Sequence, residues 1–250
     1  MPHELLSVRR TGSGPPVLLV PGSVVGASVT FKHQAPLAER WGLIVADRPG
    51  FGASPPLERG DFEAEAPLFA ELLGDGAHLV GHSYGAVIAL LVAAQRPEAV
   101  LSLAISEPGC LRVAAGHPVV DAMIANGEEL YGHMDEMDPL DFLRLFRSGV
   151  NSGHKTPDAL EGELLAGARL AMRERPPWES DPPLDALAAA PYPKLVMSGG
   201  HSEAFDAVCD RLAEAIGAQR AVVTGRNHTI PSAPGYNDVL EAHLRAAQAG

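Results

Sequence analysis

The residues best suited to chemistry in this chain lie in Gly81-His82-Ser83-Tyr84-Gly85. Glycines two positions before and two positions after a serine permit a turn too tight for side chains at those positions. Such a turn strains the serine backbone and lifts its hydroxyl clear of its surroundings. A serine hydroxyl is a weak nucleophile until a base takes its proton, and a neutral imidazole can do this near neutral pH. Ten histidines are present. His228, in the loop Gly225-Arg-Asn-His228 after the last apolar run, is the leading candidate. His82 adjoins the serine but is expected to turn to the other side of the elbow as a packing residue. His201, in Gly199-Gly-His-Ser202, reads equally as a functional group at a strand end or as a solvated loop residue. His117, His133 and His154 fall in a helical stretch where they could touch substrate or simply face water. No H-E-x-x-H pattern or closely spaced Cys/His set occurs, so no metal site is expected.

The elements around the serine must hold it. Ala77-His-Leu-Val80 runs into the motif as a strand, and Ala86-Val-Ile-Ala-Leu-Leu-Val-Ala-Ala94 leaves it as an apolar helix. The helix amino terminus then faces the serine, where its partial positive charge favours a developing oxyanion. Along the chain, short apolar or β-branched runs alternate with helical stretches, the pattern of a mostly parallel sheet with helices on both faces. Strands are expected at 17–20, 43–46, 78–81, 100–105, 195–198 and 221–223, and helices near 34–40, 62–73, 84–95, 204–216 and 237–247. Between Gly109 and Pro183 no strand is evident, while 119–130, 140–146 and 159–172 have helical periodicity. The expected organisation is therefore a core of residues 1–108 and 184–250 with a helical lid at 109–183. The Pro-rich stretch Arg175-Pro-Pro-Trp-Glu-Ser-Asp-Pro-Pro183 returns the lid to the sheet.

With these elements in place, the chain resembles the α/β-hydrolase superfamily over nearly its whole length. Besides the serine motif, Val17-Leu-Leu-Val-Pro-Gly-Ser23 is similar to that family's oxyanion loop. Asp47-Arg-Pro-Gly-Phe-Gly-Ala-Ser54 is similar to its turn after the next strand, and Gly225–His228 to its terminal histidine loop. The resemblance implies an eight-stranded sheet, a lid after the sixth strand, and a triad in the chain order Ser, acid, His or one of its variants. It assigns Ser83 as nucleophile and His228 as base. The acid departs from the usual pattern: where most relatives carry an Asp after the seventh strand, this chain reads Ser198-Gly-Gly-His-Ser-Glu-Ala-Phe205, with Ser202 at the expected position. Some members of the family carry the acid just after their sixth strand, and Glu107, just after the strand expected at 100–105, stands there as the preferred acid, with Glu203 and Asp206 as alternatives. The resemblance also implies an oxyanion hole made of the Ser23 and Tyr84 backbone N–H groups, although Pro21-Gly22 stands where His-Gly is usual.

Composition narrows the function. Nineteen Lys and Arg against thirty-one Asp and Glu give a formal charge of −12, which would repel nucleic acid and anionic lipid. The longest apolar run is about half the length that spans a bilayer. The amino terminus does not read as a secretory signal. Cys110 and Cys209, far apart, suit buried thiols in a reducing compartment. A cytoplasmic enzyme is expected, acting without nucleic acid, membrane or cofactor, with a homodimer left open. Val120, Met123, Ile124, Leu130, Met134, Met137, Leu143 and Phe146 in the lid pack it onto the body and imply an apolar pocket over Ser83. The expected activity is hydrolysis of a small to medium hydrophobic ester or lactone through an acyl-enzyme. The same constellation also serves carbon–carbon bond hydrolases, thioesterases and perhydrolases, and the missing Asp keeps a lyase or ligand-binding member in view.

Overall fold

The computed structural model describes residues 5–249. Seven strands form one sheet: β1 (Ser7–Thr11), β2 (Pro16–Val20), β3 (Gly42–Asp47), β4 (Ala77–His82), β5 (Val100–Ser106), β6 (Lys194–Ser198) and β7 (Gln219–Val222), in the order β1-β3-β2-β4-β5-β6-β7. Every pairing is parallel except β1 against β3, where Ser7 lies opposite Asp47. The sheet thus has seven strands among the described residues rather than the eight expected. A single antiparallel strand precedes Pro16, so the long helical insertion follows the fifth strand. β1 escapes a reading by hydrophobic pattern because its sequence, Ser-Val-Arg-Arg-Thr, sits on an edge with one side in water.

Alternation along the inner strands divides the sheet between two cores. Leu18 and Val20 of β2, Leu79 of β4, and Leu103 and Ile105 of β5 point to one face. There they pack with α2 (Phe62–Leu72), α3 (Tyr84–Gln95) and α8 (Glu203–Ile216). Val17 and Leu19, Val80, Ala104, Leu195 and Met197 point to the other, against α1 (Ala27–Thr30) and α9 (Tyr236–Ala249). α3 is buried on nearly all sides, as its continuous apolar sequence requires. A helix expected near 34–40 is instead 3₁₀-helical over Lys32–Glu39. Pro36 lies inside it and cannot donate the backbone bond that an α-helix needs.

Between β5 and β6 lie α4 (Pro118–Gly132), α5 (Pro139–Gly149), α6 (Gly162–Ala171) and the short α7 (Leu184–Ala189), with no strand. α4 packs on α8, and α5 packs on α6 around Phe142, Leu143 and Ala168. The Pro-rich return drives Trp178 under α4: a Cβ on Gly127 would stand 2.6 Å from the Trp178 ring. No helix among the described residues is long and apolar enough to cross a membrane. Cys110 and Cys209 are buried and unbridged. Burial pushes the Cys110 thiol up to about 12 and that of Cys209 well above its usual value, which leaves both unreactive.

Candidate active site

The carboxyl ends of β4, β5, β6 and β7 lie side by side, and each is followed by one element of the site. Ser83 follows β4 with φ 56° and ψ −121°, a strained conformation fixed at both ends of the turn. A Cβ on Gly85 would come within 2.2 Å of the Pro21 carbonyl oxygen, and one on Gly81 within 2.7 Å of Ala86 Cα. Only glycine lets the elbow press this closely on β2 and on the start of α3. The Ser83 N–H donates to the Ser106 carbonyl at 3.0 Å, tying the elbow to the end of β5.

His228, in the loop after β7, spans the gap to β5. Its Nε2 is 2.9 Å from Ser83 Oγ and its Nδ1 is 2.7 Å from Glu107 Oε2. Glu107 is fully buried at the tip of β5 with φ 43°, its own N–H bonded to the Met197 carbonyl. The Gly199 N–H donates to Oε1 at 2.7 Å. Burial works to raise the Glu107 carboxyl, but hydrogen bonds from His201 and His228 outweigh it and hold the group down at about 2. The carboxylate is therefore ionised and accepts the Nδ1 proton of His228, leaving Nε2 as an acceptor toward the serine. The other candidate acids are not brought to His228. Glu203 is exposed in the first turn of α8. Asp206 binds the Ser198 hydroxyl and pairs with Arg220, while Ser202 caps α8 by accepting from the Phe205 N–H.

Two histidines depart from expectation. His82 does not turn away from the site: its ring centroid is 5.1 Å from that of His228, and it is buried. The His82 side chain, last in β4, follows the strand's alternation onto the face where the histidine loop packs. Burial, with His228 adding to it, pushes His82 down to about 3, so it stays neutral. His201 is no solvated loop residue, since its side chain is only 8% exposed and its Nε2 lies 3.0 Å from the Glu107 carboxylate. His117, His133 and His154 are exposed, and of these only His133 reaches the cavity described below. Donor atoms of Glu107, His201 and His228 all lie within 4.8 Å of one another, which makes them the candidate metal ligands among the described residues. Their hydrogen-bonded contacts of 2.7 and 3.0 Å are tighter than the ~3.3 Å between two ligands on one tetrahedral zinc ion. The set is built for sharing protons.

The loop after β2 crosses Ser83, with Gly22 so close that a Cβ there would be 3.0 Å from Ser83 Cβ. Arg48, fully buried, holds this loop from beneath. Its Nη1 donates to the Gly22 carbonyl at 3.3 Å. That carbonyl and the Ser23 N–H belong to one trans peptide and point in opposite directions, so gripping the oxygen fixes the direction of the N–H. The guanidinium also lies 3.9 Å from the Tyr84 ring centroid, braced by Glu65 at 2.8 Å through two bonds and by Glu174 at 2.6 Å. Sequence reasoning passed over Arg48, Glu65 and Glu174; the position of Arg48 inside the Asp47–Ser54 turn was the available signal. In that turn Asp47 accepts from the Ala27 and Ala53 N–H groups, which fastens the start of α1, and with it the loop after β2, to the end of β3.

A cavity of about 810 Å³ opens onto Ser83, Tyr84, Ser23 and His228. Its walls come mainly from α4 and α5, with Met123, Leu130, Met137 and Phe146 lining it, and from Trp178 and Phe205. Of the other apolar residues singled out in the sequence, Val120 and Leu143 are buried in the packing of the insertion, and Ile124 and Met134 pack against it. Among the described residues, neither lysine nor arginine lines the cavity.

The alpha/beta hydrolase family model matches residues 17–237. The chain belongs to the alpha/beta hydrolase family. Among curated relatives, it is 35% identical over 168 residues to a pimeloyl-[acyl-carrier protein] methyl ester esterase of Chromobacterium violaceum, a match covering 66% of each chain. The match therefore spans slightly under two thirds of that relative. Among solved structures, an alpha/beta hydrolase from Sphaerobacter thermophilus aligns with 25% identity and a TM-score of 0.69, covering 96% of each chain. A thermophilic esterase from Thermogutta terrifontis aligns with 24% identity and a TM-score of 0.64, over 97% of this chain and 93% of that one, and supports the fold.

Proposed function

We propose that this alpha/beta hydrolase is a carboxylic ester hydrolase with Ser83 as nucleophile, His228 as general base and Glu107 as the triad acid. The observation that carries this reading is the unbroken line from Ser83 Oγ through His228 to Glu107, at 2.9 and 2.7 Å, beside an apolar cavity. His228 takes the hydroxyl proton as Ser83 Oγ attacks the acyl carbon, and the oxyanion forms against the Ser23 and Tyr84 N–H groups. The tetrahedral intermediate collapses as His228 returns the proton to the leaving alkoxide, leaving an ester on Ser83. Water, deprotonated by His228, repeats the sequence and releases the acid. Glu107 stays ionised throughout and stabilises the imidazolium. No step calls for a cofactor.

The relative from Chromobacterium violaceum is named for cleaving a methyl ester, which supports a carboxylic ester as the bond broken here. The cavity's volume and apolar walls favour an uncharged acyl group of small to medium size, since no cation is placed to meet a second carboxylate. Residues 109–183 act in this reading as a lid that closes the acyl site. The test is labelling by a fluorophosphonate probe together with p-nitrophenyl butyrate turnover, on the wild type and on Ser83→Ala. Both signals should be present in the wild type and absent in the variant. A wild type that neither labels nor turns over would point to a binding protein or a lyase on the same fold.

A further inference from the structure

Glu107 is an unusual triad acid in its mechanics. It has one more methylene than an aspartate and so one more rotatable bond, and it sits at the tip of β5 with a left-handed backbone. A carboxylate placed this way needs restraint from more than its histidine partner. The Gly199 N–H provides one restraint at 2.7 Å. The second is His201, two residues farther along the same loop, whose Nε2 lies 3.0 Å from the carboxylate and whose side chain is almost wholly enclosed. The His201 Nδ1 is buried with no partner, so its one hydrogen bond is spent on Glu107. His201 is not among the residues that line the cavity, and its hydrogen bond goes to Glu107 rather than to Ser83.

From this geometry we infer that His201 is a positioning residue for the hydrolytic reaction, donating a proton from Nε2 to the Glu107 carboxylate and thereby fixing its orientation and its charge opposite His228. The inference rests on the triad reading above and deepens it. The usual acid of this family would come from the loop after β6; here that loop supplies instead a donor that steadies an acid reached from β5. The extended line is Ser83, His228, Glu107, His201.

The consequence differs from that of a structural histidine. The groups facing His228 are His82 at the end of β4 and Ser83 after it, Glu107 after β5, His201 in the loop after β6, Phe205 of α8 and the Asn151 carbonyl of the insertion. His82 is held neutral, so Glu107 is the anion that stabilises the His228 imidazolium. Withdrawing the His201 donor concentrates negative charge on the carboxylate. The His228–Glu107 pair then retains its extra proton to higher pH, and the active, unprotonated base is lost earlier as pH falls.

The experiment is the pH dependence of p-nitrophenyl butyrate hydrolysis by the wild type, His201→Leu and His201→Gln, with Ser83→Ala as the blank and thermal melts in parallel. Gln carries an N–H₂ close to the position of the imidazole Nε2, so it retains the donor. His201→Leu should lower kcat by about tenfold at unchanged KM. It should also move the acid limb of the kcat profile upward by roughly half a pH unit. His201→Gln should restore the limb and most of the rate. A Leu variant with wild-type rate and profile overturns the inference. So does an equal loss in both variants with an unmoved limb and a lowered melting point, which would make His201 a packing residue. A wild type no more active than Ser83→Ala would fail the hydrolase reading itself and this inference with it.

Discussion

At the scale of single residues, the site depends on where protons are held. Glu107 is ionised well below neutrality because three N–H donors converge on it in a buried position. Glu107→Gln replaces an anion with a neutral amide that can present its own N–H to His228, which favours the wrong tautomer. A loss in kcat of about 10³- to 10⁴-fold is expected, with KM little changed, read from steady-state kinetics. A rate near wild type would send the search for the acid elsewhere, although Asp206 is already engaged by Ser198 and Arg220. Arg48 is the other residue on which much turns. Burial disfavours its charge, but Glu65 and Glu174 hold it firmly protonated, while burial drives Glu174 upward. Arg48→Met leaves two carboxyl groups buried without a cation, at a cost of about 3–5 kcal/mol. For a chain of this size that corresponds to a melting temperature lower by roughly 10 °C, measurable by calorimetry. In the fraction that stays folded, the Gly22–Ser23 peptide loses its grip, and kcat should fall more than substrate affinity.

At the scale of elements, the insertion does more than cover the cavity. The segment after α5 turns at Asn151, whose φ of 48° is left-handed, and there it meets the histidine loop. The His228 N–H donates to the Asn151 carbonyl at 3.2 Å, and the Asn227 side-chain amide donates to Asn151 Oδ1 at 2.8 Å. The segment after α5 and the His228 loop are thus held by one residue. Asn151→Ala removes the side-chain bond and places a β-carbon in a backbone region that alanine avoids by about 1 kcal/mol. Asn151→Gly removes the bond but relieves the strain. The alanine variant should therefore be the less stable and the less active of the two by several-fold, a comparison that separates backbone geometry from the amide contact.

At the scale of the whole molecule, acid sensitivity is built in away from the site as well as within it. His78, bonded to Ser102 in the core, is pushed down to about 4 by burial and by His243, and burial takes His243 down to about 4 as well. A histidine with a folded pKa below its unfolded value is neutral in both states at high pH, so it leaves stability untouched there. As pH falls below about 6.5, the unfolded chain binds protons that the folded chain refuses, and stability declines until the folded values near 4 are reached. His82 extends the window downward, toward about 3. Thermal melts should show a plateau above pH 7 and a steady fall in melting temperature between pH 6.5 and 4.

The parts of the molecule legible in the sequence are those set by spacing over a few residues. Gly81, Ser83 and Gly85 specify the elbow because the steric demand acts within five positions. The apolar runs of β2 through β6 and of α3 mark buried elements by their own pattern. The polar edge strand β1, the Pro36-disrupted helix and the six-residue α7 carry too little pattern to be read this way. The tertiary structure alone decided which carboxylate meets His228. That contact joins residues 121 positions apart and depends on β5 lying between β4 and β6. The same adjacency places His201 behind Glu107, whereas the pairing of β3 with β2 sets Arg48 beneath the Gly22–Ser23 peptide and the alternation of β4 turns His82 toward the histidine loop. Apart from the place of Arg48 in the Asp47–Ser54 turn, these contacts leave no local signature, because a buried charge or imidazole is defined by what surrounds it, and those surroundings come from segments far away in the chain.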